Sequence, residues 1–111
     1  MLSDNAMRKA DMNKSMNVGI GDMEGRSFIL GREGHIFISD PSVSKEHAEI
    51  KFIDGRIRLR DLNSTNGIYL VKNNKPVRFR ESYVEPDQTV VIGTQRRTVQ
   101  SLLAIIGVFT S

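Results

Sequence analysis

The chain has 111 residues and a formal charge of +3, and 39% of its residues are hydrophobic. This length gives room for one domain, and the absence of cysteine excludes disulfide scaffolds, thiolate metal sites and cysteine nucleophiles. The longest apolar run is far shorter than the roughly 20 residues of a membrane-spanning helix, and the chain does not open on a hydrophobic signal core. We therefore expect a cytoplasmic domain that does not enter a membrane.

The distribution of apolar and turn residues divides the chain into three parts. Residues 1–15 hold no apolar periodicity and are interpreted as a flexible leader or a remnant of cloning. From residue 16 to residue 105, short apolar runs alternate with turn residues, which is the pattern of one β-rich domain. Residues 106–111 are interpreted as a tail.

Several of these apolar runs alternate with period two, and none sustains a helical stripe over three turns. The runs are residues 18–20, 28–30, 36–38, 48–52, 57–59, 68–71, 77–79 and 89–92. Their spacing predicts an all-β sandwich or barrel. Turn residues at 21–25, 72–75 and 85–88 separate some of them, and the first of these is interpreted as a hairpin turn. Residues 96–109 fit either a closing strand or the start of a helix.

The clearest strand pair lies on the two sides of Asp54-Gly55. Residues 48–52 and 56–60 both alternate apolar with charged side chains, and a glycine-containing turn joins them. This pattern predicts an antiparallel hairpin. Its inward-facing residues are expected to be Ala48, Ile50, Phe52, Ile57 and Leu59.

Polar segments between the runs carry the most specific signal. Gly31-Arg32 follows one run, residues 40–48 (DPSVSKEHA) lead into another, and residues 61–67 (DLNSTNG) precede a third. In this order and spacing they resemble the forkhead-associated (FHA) domain. The resemblance extends from about residue 18 to the strand after residue 93. It implies an antiparallel β-sandwich of about eleven short strands, whose loops at one end bind phosphothreonine peptides.

The resemblance implies four phosphate-binding residues. Arg32 and Ser44 match the principal phosphate ligands of the family, and Lys45 and Thr65 match auxiliary phosphate contacts. Their chemistry agrees with these roles, because a phosphate dianion offers three acceptor oxygens to a guanidinium fork, an ammonium group and hydroxyls.

The remaining matched residues concern the peptide main chain and the shape of the loops. Asn66 matches the residue that hydrogen-bonds the peptide backbone, and its amide provides both a donor and an acceptor. Gly31, His47 and Gly67 match residues that shape the loops. For Gly67, a tight turn after Asn66 is expected to need a positive φ.

One segment departs from the family pattern. Only residues 33–35 separate Arg32 from the next apolar run, where the family usually has a longer polar loop. The neighbouring Glu33 is therefore expected to pair with Arg32 in the free protein. Such a pair would compete with phosphate and weaken its binding.

Together these features predict a non-catalytic signalling module, without a cofactor or a metal, that recruits a partner phosphorylated on threonine by a Ser/Thr kinase. Ser44 and His47 lack the strained nucleophile turn of an acyl-transfer enzyme. One alternative is phosphorylation-independent assembly through a sheet face. A less favoured alternative is nucleic-acid binding through a basic face, because few aromatic residues are available for stacking. This face would hold Arg56, Arg58 and Arg60, extended by Arg78, Arg80, Arg96 and Arg97 if the strand faces merge.

Overall fold

Short β-strands are the main regular secondary structure of residues 18–109, the part of the chain that the structure describes. In this computed structural model the elements are, in chain order, a 3₁₀ helix (Ile20–Met23), β1 (Ser27–Gly31), β2 (Ile36–Phe37), β3 (Ala48–Ile53), β4 (Arg56–Asp61), β5 (Ile68–Lys72), β6 (Lys75–Phe79), β7 (Glu81–Val84), β8 (Thr89–Ile92), β9 (Gln95–Thr98) and α1 (Val99–Ile105). Neither helix in this range is long and apolar enough to cross a membrane. The predicted all-β class is confirmed, with nine strands over residues 18–109 where the resemblance implied about eleven.

The strands form two sheets that pack as the predicted sandwich. One sheet has the order β2-β1-β3-β4-β7, and the other has the order β6-β5-β8-β9. Neighbouring strands are antiparallel except β1 and β2, which pair in parallel over two residues. Parallel neighbours normally need a long crossover. Here the connection is short, because the N–H groups of Gly34 and Ile38 both donate to the carbonyl oxygen of Gly31 and fold the chain back.

The structure confirms the predicted hairpin as β3 and β4. Asp54 and Gly55 form its two-residue turn with φ of 54° and 70°, the left-handed pair typical of tight hairpins. The carboxylate of Glu24 accepts hydrogen bonds from both of their N–H groups, at 2.6 and 2.9 Å. These bonds lower the pKa of Glu24, with the Gly55 bond contributing most. The residues predicted to face inward are all at most 2% exposed: Ala48, Ile50, Phe52, Ile57 and Leu59.

The other predicted turns have different outcomes. Asn73 and Asn74, with φ of 51° and 64°, join β5 to β6 in a second tight hairpin. The N–H of Gln88 donates to the carbonyl oxygen of Glu85 and closes the turn between β7 and β8. The hairpin turn expected at residues 21–25 is wrong, because residues 20–23 form the 3₁₀ helix instead.

The core lies between the two sheets and is closed by α1. Alternate residues of β3, β4, β5 and β8 enter it, so Ile68 and Leu70 are buried while Tyr69 faces outward. A fully buried Leu or Ile side chain contributes about 1.5–3 kcal/mol to the free energy of unfolding. The largest fully buried side chains are Phe52, Leu30, Ile36, Ile38, Ile50, Ile57, Leu59, Ile68, Ile92, Leu102, Leu103 and His47.

Both readings of residues 96–109 are partly realised. The chain forms the end of β9 and then α1, and Thr98 caps the helix because its side chain accepts a hydrogen bond from the N–H of Ser101. Val108, in the segment interpreted as a tail, is 1% exposed and forms an isolated bridge with Val18. The leader at residues 1–15 and the last two residues lie outside the described range. The domain limits of 16 and 105 stay a prediction.

Strand register brings the polar segments to one end of the sandwich. Leu30 near the end of β1 pairs with Ala48 at the start of β3, and Ala48 pairs with Asp61 at the end of β4. Three loops lie next to these positions: residues 32–35 between β1 and β2, residues 38–47 between β2 and β3, and residues 62–67 between β4 and β5. They therefore meet at the same edge of the five-stranded sheet.

Candidate functional site

Main-chain hydrogen bonds fasten the Arg32 segment to the segment that follows it. The N–H of Arg32 donates to the carbonyl oxygen of Ser44 at 3.1 Å, and the N–H of Glu33 donates to that of Lys45 at 2.9 Å. Gly31 permits this approach, because a Cβ there would overlap the carbonyl oxygen of Lys45. The structure therefore brings Arg32 beside both Ser44 and Lys45.

Ser44 joins this pair of segments to the third loop. Its Oγ accepts a hydrogen bond from the N–H of Thr65 at 3.2 Å, and its N–H donates to Nδ1 of His47 at 3.0 Å. Ser44 thus binds the main chain of Arg32 through its carbonyl oxygen and the main chain of Thr65 through its hydroxyl oxygen. Arg32, Ser44 and Thr65, which lie up to 33 positions apart in the chain, become spatial neighbours.

His47 is buried at 0% exposure and braces all the loops of this end. Because Nδ1 accepts from Ser44, the ring carries its proton on Nε2, which donates to the carbonyl oxygen of Gly67 at 2.8 Å. Its main chain adds two bonds, donating to the carbonyl oxygen of Leu30 and accepting from the N–H of Leu62. This arrangement supports the loop-shaping role that the resemblance implies for His47.

The side chain of Arg32 is held at one nitrogen only. Its Nε donates to the carbonyl oxygen of Val43 at 2.6 Å, and its terminal nitrogens make no hydrogen bond to residues 18–109. The expected Arg32–Glu33 pair is wrong. The Glu33 carboxylate instead lies 3.9 Å from Nζ of Lys45, and both of these side chains are 64% exposed. The guanidinium edge of Arg32 is therefore available to an anion.

Asn66 and Gly67 complete the third loop. Nδ2 of Asn66 donates to the carbonyl oxygen of Ser42 at 2.8 Å, and the Asn66 side chain is exposed. Gly67 has φ of 77°, the positive value expected for it. Its N–H donates to Oγ of Ser64, whose own side chain donates to the Asp61 carboxylate. Hydrogen bonds among its own residues thus stabilise this loop, in addition to its bonds to the neighbouring loops.

Sequence reasoning missed a polar cluster that supports the Ser44 loop. The Asp40 carboxylate accepts from the N–H and the hydroxyl of Ser42 and from the side-chain amide of Gln95. The N–H of Thr94 donates to Oγ of Ser42 at 2.9 Å. The Ser42 hydroxyl, followed by the Ser42 N–H, lowers the pKa of Asp40. The Asp-x-Ser spacing is a local turn signal, whereas no local signal indicates Thr94, 52 positions away.

The arginines proposed for a basic sheet face are engaged by neighbouring side chains. Glu49 lies 3.2 Å from Arg60 and 3.7 Å from Arg58, and Glu81 lies 3.7 Å from Arg58. The Arg56 guanidinium lies 3.7 Å from the centre of the Tyr83 ring, in cation–π contact. The carboxylates offset the charges of Arg58 and Arg60, which argues against an open phosphate-backbone surface on β4.

Comparison with known proteins agrees with the fold and the loop segments. The profile of the FHA domain family matches residues 25–93. The FHA domain of FhaA, solved in complex with the intracellular domain of Rv3910, is 35% identical over 66% of this chain and 77% of its own, with a TM-score of 0.55. A search of curated proteins gave no match.

Two further solved structures are similar over the same share of this chain. One, from a structural and functional study of phosphothreonine-dependent FHA domain interactions, is 32% identical over 66% of this chain and 73% of its own, with a TM-score of 0.57. The FHA domain of CT664 from Chlamydia trachomatis is 28% identical over the same shares, with a TM-score of 0.56. Because the family match covers more than half of the residues and the sandwich agrees with it, this chain belongs to the FHA domain family.

Proposed function

We propose that this domain binds phosphothreonine in a partner protein and so recruits a target of a Ser/Thr kinase, without catalysis of its own. The observation that carries the proposal is the hydrogen-bonded contact of three loops through Ser44. That contact places the exposed cation Arg32 and the exposed hydroxyl residue Thr65 on either side of Ser44. The similarity to a domain studied for phosphothreonine-dependent interactions supports the same conclusion.

The phosphate group fits these side chains in charge and in hydrogen bonding. A phosphothreonine carries about −1.5 to −2 charges at pH 7 and three strong acceptor oxygens. In the proposed complex the free edge of Arg32 binds two of those oxygens, and the hydroxyls of Ser44 and Thr65 donate to the phosphate. Lys45 adds a positive charge from the rim. A hydrogen bond of this charge-assisted kind contributes about 1.5–3 kcal/mol.

Asn66 is proposed to read the main chain of the peptide beside the phosphothreonine. Its Nδ2 already donates to Ser42, which fixes the orientation of the amide, and its oxygen accepts no hydrogen bond from residues 18–109. An extended peptide needs acceptors for its N–H groups. The Asn66 oxygen supplies one.

An amide-shift titration by NMR tests the proposal. The ligands are a phosphothreonine peptide library, the same peptides with phosphoserine, and the unphosphorylated peptides. Wild type is expected to show saturable shifts at Arg32, Ser44, Lys45, Thr65 and Asn66 with the phosphothreonine set. Weaker binding is expected for phosphoserine, because the family implies a pocket for the threonine methyl group.

Two arginine variants make the test specific. Loss of a charge-assisted contact in Arg32→Ala is expected to weaken binding about 10- to 150-fold, from the 1.5–3 kcal/mol of one such bond. Arg26→Ala removes an equally exposed arginine just before the far end of β1 and is expected to leave affinity unchanged. Equal losses in both variants, or no phosphopeptide binding by the wild type, would refute the proposal.

A second candidate function is phosphorylation-independent assembly through the outer face of the four-stranded sheet. Tyr69, Val71 and Val91 lie on this face, with Arg78 paired to Tyr69 and Arg96 paired to Val91. The strands β5, β6, β8 and β9 contain no acidic residue. An aromatic and apolar centre with an arginine rim is typical of a protein interface.

The two candidates give opposite results with one pair of variants. If partner binding uses the loops, Arg32→Ala weakens it about 10- to 150-fold and Tyr69→Ala leaves it intact. If partner binding uses the sheet face, Tyr69→Ala weakens it and Arg32→Ala does not. Isothermal titration of one phosphorylated partner and its dephosphorylated form with both variants distinguishes these outcomes.

A further inference from the structure

Glu33 lies at the edge of the phosphate site in a position fixed by the main chain. Its N–H donates to the carbonyl oxygen of Lys45, and its carboxylate lies 3.9 Å from the Lys45 ammonium group. It directly follows Arg32, whose N–H is bound to Ser44. An acidic side chain therefore lies beside Lys45, one of the two cations that the phosphate would bind, and next in sequence to Arg32, the other.

The segment between β1 and β3 that surrounds the site has more acidic than basic residues, in contrast to the rest of the chain. Residues 32–47 hold the cations Arg32 and Lys45 and the acids Glu33, Asp40 and Glu46, which leaves a net charge of −1 with neutral histidines. The whole chain carries +3. A ligand that brings only negative charge meets repulsion from this loop as well as attraction to its two cations.

From this arrangement we infer that the site selects phosphothreonine peptides with basic residues next to the phosphothreonine, and that Glu33 is the residue that sets this preference. The inference rests on the proposed function. It identifies the partner class as singly phosphorylated basic segments, which are the products of kinases that prefer basic substrates. Segments with clustered acidic or phosphorylated residues are disfavoured.

The physical step is an exchange of ion-pair partners. In the free protein the Glu33 carboxylate lies near Lys45. When a phosphate draws Lys45 towards itself, Glu33 loses that partner and accepts a Lys or Arg of the peptide in its place. A Glu of the peptide at the same position instead places two carboxylates together, with the phosphate nearby.

The expected preference is modest because both side chains are largely in solvent. Exposed ion pairs contribute little, so one favourable pairing changes affinity about two- to fivefold. Attraction of a basic peptide and repulsion of an acidic peptide together give a ratio of about 5 to 20 between their affinities. The ratio is expected to fall as salt rises, because exposed charges are screened.

The test measures two phosphothreonine peptides by fluorescence anisotropy at low and at physiological salt. One carries Lys and the other carries Glu at the two positions on each side of the phosphothreonine. Wild type is compared with Glu33→Gln and with Glu85→Gln. The latter removes an exposed carboxylate just after β7, at the opposite end of the sandwich from the loops.

Wild type and Glu85→Gln are expected to bind the Lys peptide about 5- to 20-fold more tightly, and Glu33→Gln is expected to reduce that ratio at least threefold. Tighter binding of the Glu peptide by Glu33→Gln accounts for part of the change. An unchanged ratio in Glu33→Gln, or equal binding of both peptides by wild type, overturns this inference and leaves phosphothreonine recognition standing. Failure of wild type to bind either peptide or any member of the phosphothreonine library overturns both.

Discussion

Replacement of His47 by alanine removes a buried side chain that joins the Ser44 loop to the loop of residues 62–67. The imidazole accepts a hydrogen bond from the N–H of Ser44 at 3.0 Å and donates one to the carbonyl oxygen of Gly67 at 2.8 Å. Alanine can make neither bond. Both main-chain groups lose their partner, and a space the size of an imidazole ring opens in a region with 0% exposure.

The expected cost follows from the burial of the two abandoned groups. A buried polar group left without a partner costs about 1–3 kcal/mol. Gly67 is buried and takes the upper part of that range, while half-buried Ser44 takes the lower part because water can reach its N–H. The free energy of unfolding of His47→Ala is therefore expected to fall by about 4 kcal/mol, a large share of the 5–15 kcal/mol of a typical domain.

Urea denaturation followed by far-ultraviolet circular dichroism measures this difference, since the chain contains no tryptophan for fluorescence. The matched control is His35→Ala. The ring of His35 is exposed, accepts one hydrogen bond from the N–H of Ile29 and contacts Phe28 edge-on, so its loss is expected to cost about 1 kcal/mol or less. A His47→Ala protein no less stable than His35→Ala would refute the role of His47 as a brace.

Two further predictions concern the turn at the far end of β3 and the close approach at Gly31. Hydrogen bonds from Gly55 and Asp54 lower the pKa of Glu24, so its contribution to stability is present above the ordinary carboxyl pKa and is lost as pH falls through the lowered one. The melting temperature of wild type should therefore exceed that of Glu24→Gln at about pH 7, and the gap should narrow towards pH 3. In Gly31→Ala the new methyl group overlaps the carbonyl oxygen of Lys45, so stability should fall by about 1–3 kcal/mol and phosphothreonine binding should weaken in an NMR titration. A difference in melting temperature between wild type and Glu24→Gln that does not change with pH would contradict the first expectation. A Gly31→Ala protein equal to wild type in stability and in phosphothreonine binding would contradict the second.

Sequence patterns predicted the parts of the fold that depend on local chemistry. The period-two alternation on the two sides of Asp54-Gly55 predicted the β3–β4 hairpin and its inward face. Strand β7 was missed, because Glu81–Val84 has a single buried residue, Val84, and so shows no apolar run. The parallel pairing of β1 with β2 was also missed, since it depends on hydrogen bonds to Gly31 and on no repeating pattern.

Sequence reasoning indicated which residues belong to the proposed site, and it said less about their contacts. The order of the three polar segments indicated Arg32, Ser44 and Thr65, and their proximity in space agrees with that expectation. Adjacency in sequence suggested that Glu33 pairs with Arg32. This expected ion pair does not form, because the backbone bonds to Ser44 and Lys45 turn the side chains of Arg32 and Glu33 in different directions. Glu33 is left near Lys45.

Under the proposed function, support and recognition fall to different residues at this end of the sandwich. Gly31, His47 and Gly67 are buried and join main chain to main chain, whereas the proposed ligands Arg32 and Lys45 are exposed and contribute few contacts to the loops. Changes in the first group should therefore lower stability and binding together, and changes in the second should lower binding alone. The same division would let Glu33 tune ligand choice, as inferred above, without altering the fold, because its side chain is 64% exposed and only its N–H holds the loop. On this proposal, peptide preference varies through single exposed side chains, on a frame that buried residues keep constant.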